Sequence, residues 1–173
     1  CVLYPAPLRD LLMQLATADL FRAKWTAKIQ DEWISNLIAN EPSRDPRKLA
    51  RTAHKMNEAI PDCLVTGYEH LIDGINLPDP DDRHVAAAAV HARADAIITY
   101  NLKDFPSVAL APLDLESIHP DDFIINQADL SDAAVILAAQ RIRKRLVKPV
   151  LSPAEYLTKL RFNQLPKTAE WLS

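Results

Sequence analysis

Residues 77–99 read LPDPDDRHVAAAAVHARADAIIT and predict a helix followed by a strand. Asp79 is a candidate N-cap, with Pro80 at the first helical position. The short apolar run 96–99 suits a buried strand of a parallel sheet. A helix that leads into such a strand is typical of an α/β fold. The packed side of this helix is predicted to hold Val85, Ala88, Ala89 and Ala92.

The same alternation of helices and strands extends on both sides of this stretch. Thr26 is a candidate N-cap of a helix that reaches Asn40, and Pro120 is a candidate first residue of a later helix. Because strands and helices alternate, we expect right-handed βαβ units around a mainly parallel sheet. Further strand candidates lie at residues 2–4, 21–25, 63–66 and 113–118.

Beyond about residue 130 the pattern predicts helices alone. One helix carries an apolar stripe from Val135 to Leu146 and should end before Pro149. Ser152 to Glu155 is a capping box that begins a final helix. We therefore predict a first domain at 1–128, with an incomplete N-terminal strand, and a helical C-terminal extension at 129–173.

Composition excludes several classes of protein. The two cysteines, Cys1 and Cys63, are too few for a disulfide framework or a cysteine zinc site. The two glycines form no phosphate-binding loop, which excludes the usual nucleotide-binding folds. A net charge of −3 disfavours a protein dedicated to binding long stretches of DNA. With no apolar run of the ~18 residues needed to span a bilayer, we expect a cytoplasmic protein without a membrane partner.

Three acidic residues are candidates for chemistry, and each has a plainer interpretation. Asp82 lies in the first turn of its helix, where acids often serve only the helix dipole, yet it falls on the packed side. Asp104 follows the strand at 96–99, where ligands collect in α/β sheets but where turn residues are also common. Glu32 borders an apolar stripe, a position more typical of a solvated flank.

Taken together, the three acids point to a metal. Carboxylates without a paired cation are the ligands that Mg²⁺ and Mn²⁺ prefer, and phosphodiester hydrolysis commonly uses such sites. No spacing among the five histidines is typical of a metal site, and no serine-hydrolase motif occurs. The basic residues after 140 are either a solvated helix face or a phosphate-contacting patch, with Arg141, Arg145 and Lys148 as the RNA-contact candidates.

The order of these acids resembles that of the PIN-domain nucleases, in particular the VapC-type toxins with a helical C-terminal extension. The stretches that carry this resemblance are VLYPAPLRD (2–10), DEWISNL (31–37), LPDPDDRHV (77–85) and IITYNLKDFP (97–106). The third and fourth stretches are the specific ones. The resemblance covers nearly the whole chain.

This resemblance implies a three-layer α/β sandwich and a Mg²⁺- or Mn²⁺-dependent endoribonuclease. The RNA would be tRNA or ribosomal RNA, and a cognate antitoxin would hold the toxin inactive. Glu32, Asp82 and Asp104 would be catalytic and bind or orient the metal, supported by Asn101 and Thr99. The helical extension would cover the nuclease core, an antitoxin helix or a second copy of the chain in a homodimer.

The family's first catalytic Asp lies on the first strand, two residues before the position of Cys1. A chain that began at Cys1 would therefore be expected to have little activity. This departure motivates an alternative, in which an impaired PIN-like domain serves as a protein- or RNA-binding module.

Overall fold

The computed structural model describes residues 1–147 and 149–173, which pack as two compact units. The sheet unit contains Cys1 and Ala23–His119, and the helical unit contains Val2–Arg22 and Pro120–Ser173. This division reflects which residues contact one another rather than a single boundary along the sequence. The predicted domain boundary after residue 128 therefore stays a prediction. None of the described helices is long and apolar enough to cross a bilayer.

The sheet unit holds two short strands and four α-helices. Strands β1 (Ala96–Ile98) and β2 (Glu116–Ile118) pair in parallel, with Ala96 opposite Glu116 and Ile98 opposite Ile118. Three short 3-10 helices lie at Glu69–Gly74, Pro80–Asp82 and Ala111–Leu113. The α-helices are α2 (Ala27–Asn40), α3 (Pro46–Ala59), α4 (Arg83–His91) and α5 (Ser107–Leu110).

The observed sheet is parallel, as predicted, but smaller than predicted. Trp25 and Leu64 form a single parallel bridge in place of two strands. Asp62 (φ 55°) and Gly67 (φ 78°) adopt left-handed backbone conformations on either side of Leu64, which stops the extended segment. Asp114 (φ 56°) does the same in the segment 113–118, so that β2 begins only at Glu116.

The strand predicted at 2–4 is not observed either. Val2 to Pro5 form turns and bends that lead into helix α1 (Ala6–Ala16). Arg9, one turn into that helix, donates a hydrogen bond from Nη1 to the Leu3 carbonyl oxygen at 3.0 Å. This bond holds the segment in a folded-back conformation.

Helix α4 is buried more deeply than its predicted stripe. Ala86, Ala87 and Ala88 are fully or almost fully buried, while Val85, Ala89 and Ala92 are only partly buried. The helix contacts both β1 and the 3-10 helix at 69–74, so two of its sides are covered. Alanine suits this position because its small side chain lets neighbouring elements approach closely.

The described residues of the helical unit form five helices. Ser152 and Glu155 form the predicted capping box at the start of α8 (Pro153–Phe162). In the sheet unit, Thr26 caps α2 as predicted. The helix predicted to stop before Pro149 ends at Arg145. The helices are α1 (Ala6–Ala16), α6 (Pro120–Leu130), α7 (Asp132–Arg145), α8 (Pro153–Phe162) and α9 (Pro166–Trp171).

Candidate metal centre

The start of α4 places two of the acids. Asp79 is the N-cap, and its Oδ1 accepts a hydrogen bond from the Asp81 N–H at 2.9 Å. Pro80 occupies the first helical position, as predicted, and the first turn is a 3-10 turn that ends at Asp82. Because residues three apart share one side of a helix, Asp79 and Asp82 point in a common direction.

The loop after β1 places the third acid. The Asn101 N–H donates to Thr99 Oγ1 at 3.0 Å, and the Asp104 N–H donates to the Asn101 carbonyl oxygen at 3.3 Å. The Asn101 side-chain amide also donates directly to Asp104 Oδ2. Thr99 and Asn101 thus form a tight turn that fixes the direction of the Asp104 carboxylate.

These elements bring three carboxylates together at the carboxyl end of β1. One oxygen from each of Asp79, Asp82 and Asp104 lies within 4.8 Å of the other two. Asp82 and Asp104 were predicted site residues, whereas Asp79 was expected to serve only as a cap. Asp79 caps the turn through Oδ1 and also contributes one of the three clustered oxygens that could hold a cation. Its spacing of three residues from Asp82 was the sequence signal for this.

The electrostatics of the cluster disfavour a full set of negative charges. Burial raises the pKa of the Asp82 carboxyl. The negative charges of Asp79, Asp104 and Glu32 raise this pKa further. In the part of the chain that the structure describes, no lysine or arginine forms an ion pair with any of the three clustered acids. The cluster is therefore short of positive charge.

Glu32 lies apart from the three clustered oxygens but close enough to influence Asp82. Its Oε1 is 2.9 Å from Nε2 of His84, which joins α2 to α4. Burial raises the pKa of Glu32, and the charge of Lys28 partly counters this effect. Sequence patterns predict neither this partner of Glu32 nor a role for His84.

His84 is neutral in this arrangement. Its side chain is 2% exposed, and burial lowers its pKa to about 4. Its Nδ1 is buried without a hydrogen-bond partner among the described residues. A proton on Nδ1 would be a buried, unsatisfied donor, so the favoured tautomer carries its proton on Nε2 and donates it to Glu32.

The cluster suits a small, hard divalent cation. All of its donors are carboxylate oxygens, which Mg²⁺ and Mn²⁺ prefer over the nitrogen and sulfur ligands typical of zinc. Three acids, with Glu32 beside them, leave room for water or a phosphate oxygen in the coordination shell. The residues present therefore fit a divalent-cation site.

The predicted RNA-contact residues belong to the helical unit. Arg141 and Arg145 are exposed on α7, and Lys148 lies outside the described residues. Arg145 is close enough to Asp10 to lower the pKa of that carboxyl, as are Arg9 and Lys159. Burial outweighs these cations and leaves the pKa of Asp10 raised. Basic side chains of three helices thus act electrostatically on one acid.

Comparison with known families identifies the fold. The PIN domain family matches residues 2–103, more than half of the chain. The chain belongs to the PIN domain family. The VapC50 C-terminal domain family matches residues 120–173, a stretch that begins where the sheet unit ends.

A curated relative is the "Putative ribonuclease VapC50" of Mycobacterium tuberculosis (strain ATCC 25618 / H37Rv). It is 40% identical over 103 residues, which cover 60% of each chain. The chain therefore spans about 60% of the length of this relative. No solved structure matches the chain.

Membership of the PIN family implies an α/β fold, in agreement with the parallel β1–β2 pair and the helices of the sheet unit. The PIN match includes Glu32, Asp79 and Asp82, and ends one residue before Asp104. Two of the three clustered acids thus lie within the matched residues, and Asp104 directly follows them.

Proposed function

We propose that this protein is a divalent-metal-dependent endoribonuclease that acts as the toxin of a type II toxin–antitoxin pair. The observation that supports this most directly is the meeting of Asp79, Asp82 and Asp104 within 4.8 Å. Three converging acids, with no lysine or arginine partner among the described residues, favour a bound cation, and phosphodiester hydrolysis commonly uses metal-bound carboxylates. The ribonuclease name of the relative supports RNA as the substrate.

Each acid has a distinct task in this proposal. Asp82, half-buried and surrounded by other acids, is the leading metal ligand. Asp104 is a second ligand, held by the turn through Thr99 and Asn101. Asp79 contributes the oxygen that its capping bond leaves over, which extends the ligand set predicted from the sequence.

Glu32 is the residue best placed to handle water. His84 occupies its Oε1, which fixes the carboxylate plane and leaves Oε2 to accept a hydrogen bond from a water. A raised pKa suits a group that takes up a proton during hydrolysis. When bound, Mg²⁺ or Mn²⁺ would supply Lewis-acid activation of the water and of the phosphoryl group.

The remaining parts of the proposal concern fold and partners. We propose that the PIN portion is a three-layer α/β sandwich within residues 1–128, followed by the helical extension at 129–173. Arg141, Arg145 and Lys148 would contact RNA phosphates, with tRNA or ribosomal RNA as the substrate. A cognate antitoxin would bind and silence the toxin, and the extension could also mediate a homodimer.

Cleavage of a tRNA and ribosomal RNA pool by the full-length protein tests the central proposal. We expect cleavage with Mn²⁺ or Mg²⁺ and none in EDTA. Asp82→Asn should lower the rate of RNA cleavage at least about 100-fold. Losing a direct metal ligand should cost more activity than losing a residue that only hydrogen-bonds to a ligand. Asp81→Asn is the matched control, since Asp81 is exposed in the same turn and lies outside the cluster.

Titration of Mn²⁺ by calorimetry separates the enzyme from the alternative. The proposed enzyme binds Mn²⁺ and loses that binding on Asp82→Asn. A protein that binds RNA but neither binds Mn²⁺ nor cleaves RNA would instead be the binding module. Cleavage that survives Asp82→Asn would refute the assignment of the site.

A further inference from the structure

An aromatic pair lies at the same edge of the sheet as the acids. Ile98 and Ile118 are paired at the ends of β1 and β2, and the Thr99 N–H donates to the Ile118 carbonyl oxygen at 3.0 Å. Tyr100 is the first aromatic residue after β1, and His119 is the first after β2. Their ring centroids are 5.3 Å apart and their planes make an angle of 75°. The parallel register therefore builds an edge-to-face pair from residues that are far apart in the sequence.

The pair adjoins the candidate metal centre through the backbone. Tyr100 immediately precedes Asn101, whose side chain donates to Asp104. The turn that directs the Asp104 carboxylate therefore also carries the tyrosine ring. In parallel sheets, ligands bind at this carboxyl edge.

Both rings are only partly buried. An aromatic pair that served the core alone would be covered on all sides, as are the largest core residues of this unit. Tyr100 and His119 instead combine a mutually fixed orientation with accessible surface. Because the edge-to-face contact already restrains the rings, ordering them for a ligand costs little conformational entropy.

We propose that Tyr100 and His119 form a stacking platform for one unpaired base of the RNA strand, next to the phosphate held at the acidic cluster. This inference rests on the proposed ribonuclease function and adds a substrate-binding site to it. Bases of single-stranded RNA stack on tyrosine and histidine rings and can be splayed out in this way. Bases within a duplex cannot, so the platform selects single-stranded substrate.

The electrostatics of the site favour such a contact. The cluster of Asp79, Asp82 and Asp104 repels phosphate unless a cation is bound. Stacking supplies affinity that does not depend on charge, so it holds the strand without adding to this repulsion. Stacking also accepts any base, because every base has a flat π face.

A series of fluorescein-labelled single-stranded RNAs, each lacking the base at a different position, tests the platform. All proteins carry Asp82→Asn, so that the RNA stays intact, and binding is measured by fluorescence anisotropy. In the Asp82→Asn parent, one abasic position should weaken binding about 5- to 150-fold. In Tyr100→Leu, affinity for the intact RNA should fall by a similar factor. Removing the base at that same position should then cause no further loss of affinity.

Three variants serve as controls and as second tests. Tyr100→Phe keeps the ring and should keep the affinity, while His119→Leu should lose part of the same abasic penalty. Phe162→Leu removes a ring that is 88% exposed in the helical unit and should change nothing. The slope of affinity against salt concentration should be equal in the parent and in Tyr100→Leu, because no phosphate contact is removed. Circular dichroism confirms that each variant is folded.

The outcomes separate the platform from the function on which it rests. An abasic penalty that persists undiminished in both Tyr100→Leu and His119→Leu overturns the platform. So does the absence of any abasic penalty in a protein whose Asp82 form cleaves RNA, and in that case the ribonuclease proposal stands. A protein that neither binds nor cleaves single-stranded RNA overturns both.

Discussion

His84 Nε2 lies 2.9 Å from Glu32 Oε1, and this contact ties α4 to α2 beside the acidic cluster. The imidazole is buried, and its second nitrogen has no partner among the described residues. The residue is therefore held neutral and acts as a fixed donor to Glu32. This makes His84 a positioning residue for an acid that the sequence marked only weakly.

The neutral state of His84 predicts a pH-dependent stability. An unfolded histidine, with a pKa near 6.5, takes up a proton as pH falls, whereas folded His84 does so only near pH 4. The unfolded state therefore binds more protons between these values, and the contribution of His84 is intact above pH 6.5 and lost as pH falls to 4. Over this window the contribution should decrease by about 3 kcal/mol.

Urea unfolding in EDTA at a series of pH values measures this contribution by comparing the wild type with His84→Gln. The free-energy difference between the two should shrink as pH falls from 6.5 to 4. His54→Gln is the control for the loss of an exposed imidazole. A difference that stayed constant across the window would contradict a neutral, buried His84.

Asp82→Asn should stabilise the metal-free protein. The raised pKa of Asp82 means that its surroundings, taken together, disfavour the anion, so the ionised side chain costs folding free energy at pH 7. An uncharged amide of the same shape removes that cost. In EDTA the melting temperature should rise by about 1–3 °C.

Differential scanning calorimetry with and without Mn²⁺ checks the sign of this effect. Mn²⁺ should raise the melting temperature of the wild type and have little effect on Asp82→Asn. Asp81→Asn should respond to Mn²⁺ as the wild type does. A lower melting temperature of Asp82→Asn in EDTA would show that the acids are compensated in some other way.

Substitution of Asp121 should destabilise the helical unit strongly. Its buried carboxylate accepts hydrogen bonds from the Lys167 N–H at 2.8 Å, the Thr168 N–H at 2.8 Å and the Thr168 hydroxyl at 2.7 Å. It thereby caps α9 from α6, and Asp121→Ala would leave buried donors unsatisfied. We expect a loss of about 3 kcal/mol in the free energy of unfolding.

Asp122→Ala is the matched control for this change. Asp122 is next in the sequence and pairs with the Lys167 ammonium, but both side chains are largely exposed. Its removal should cost less than about 1 kcal/mol in the same urea titration. Equal losses for the two variants would argue against Asp121 as the cap of α9.

Tyr156→Phe should be neutral or slightly stabilising. The Tyr156 side chain is almost fully buried, and its hydroxyl has no hydrogen-bond partner among the described residues. Burial, with a smaller effect from the charge of Asp10, raises the pKa of Tyr156, so the group stays protonated. Removing the hydroxyl should change the free energy of unfolding by between 0 and about +1 kcal/mol.

Tyr156→Leu provides the contrast, because it removes the ring as well. That change should cost about 2–3 kcal/mol through lost packing. A clear destabilisation by Tyr156→Phe would reveal a partner for the hydroxyl that this structure does not contain.

Features that depend on near neighbours in the chain are predictable from local sequence patterns. Thr26, Asp79 and Ser152 cap their helices as predicted, because a cap needs only a side-chain oxygen and an N–H two or three residues away. The helix that leads into β1 and the parallel pairing of β1 were also predicted, whereas the strands predicted at 2–4, 21–25 and 63–66 did not form. Asp82 and Asp104 were also predicted as candidate site residues, because one lies at a helix start and the other follows a strand.

Which of these groups meet depends on how the helices and strands pack together. Asp79 reaches the other two acids, and Glu32 is held by His84, because β1 and two helices bring distant segments to one edge. Strand lengths were likewise set by left-handed residues such as Asp62 and Asp114, which no periodicity marks. Such contacts depend on packing between elements, and packing is not encoded within any window of a few residues.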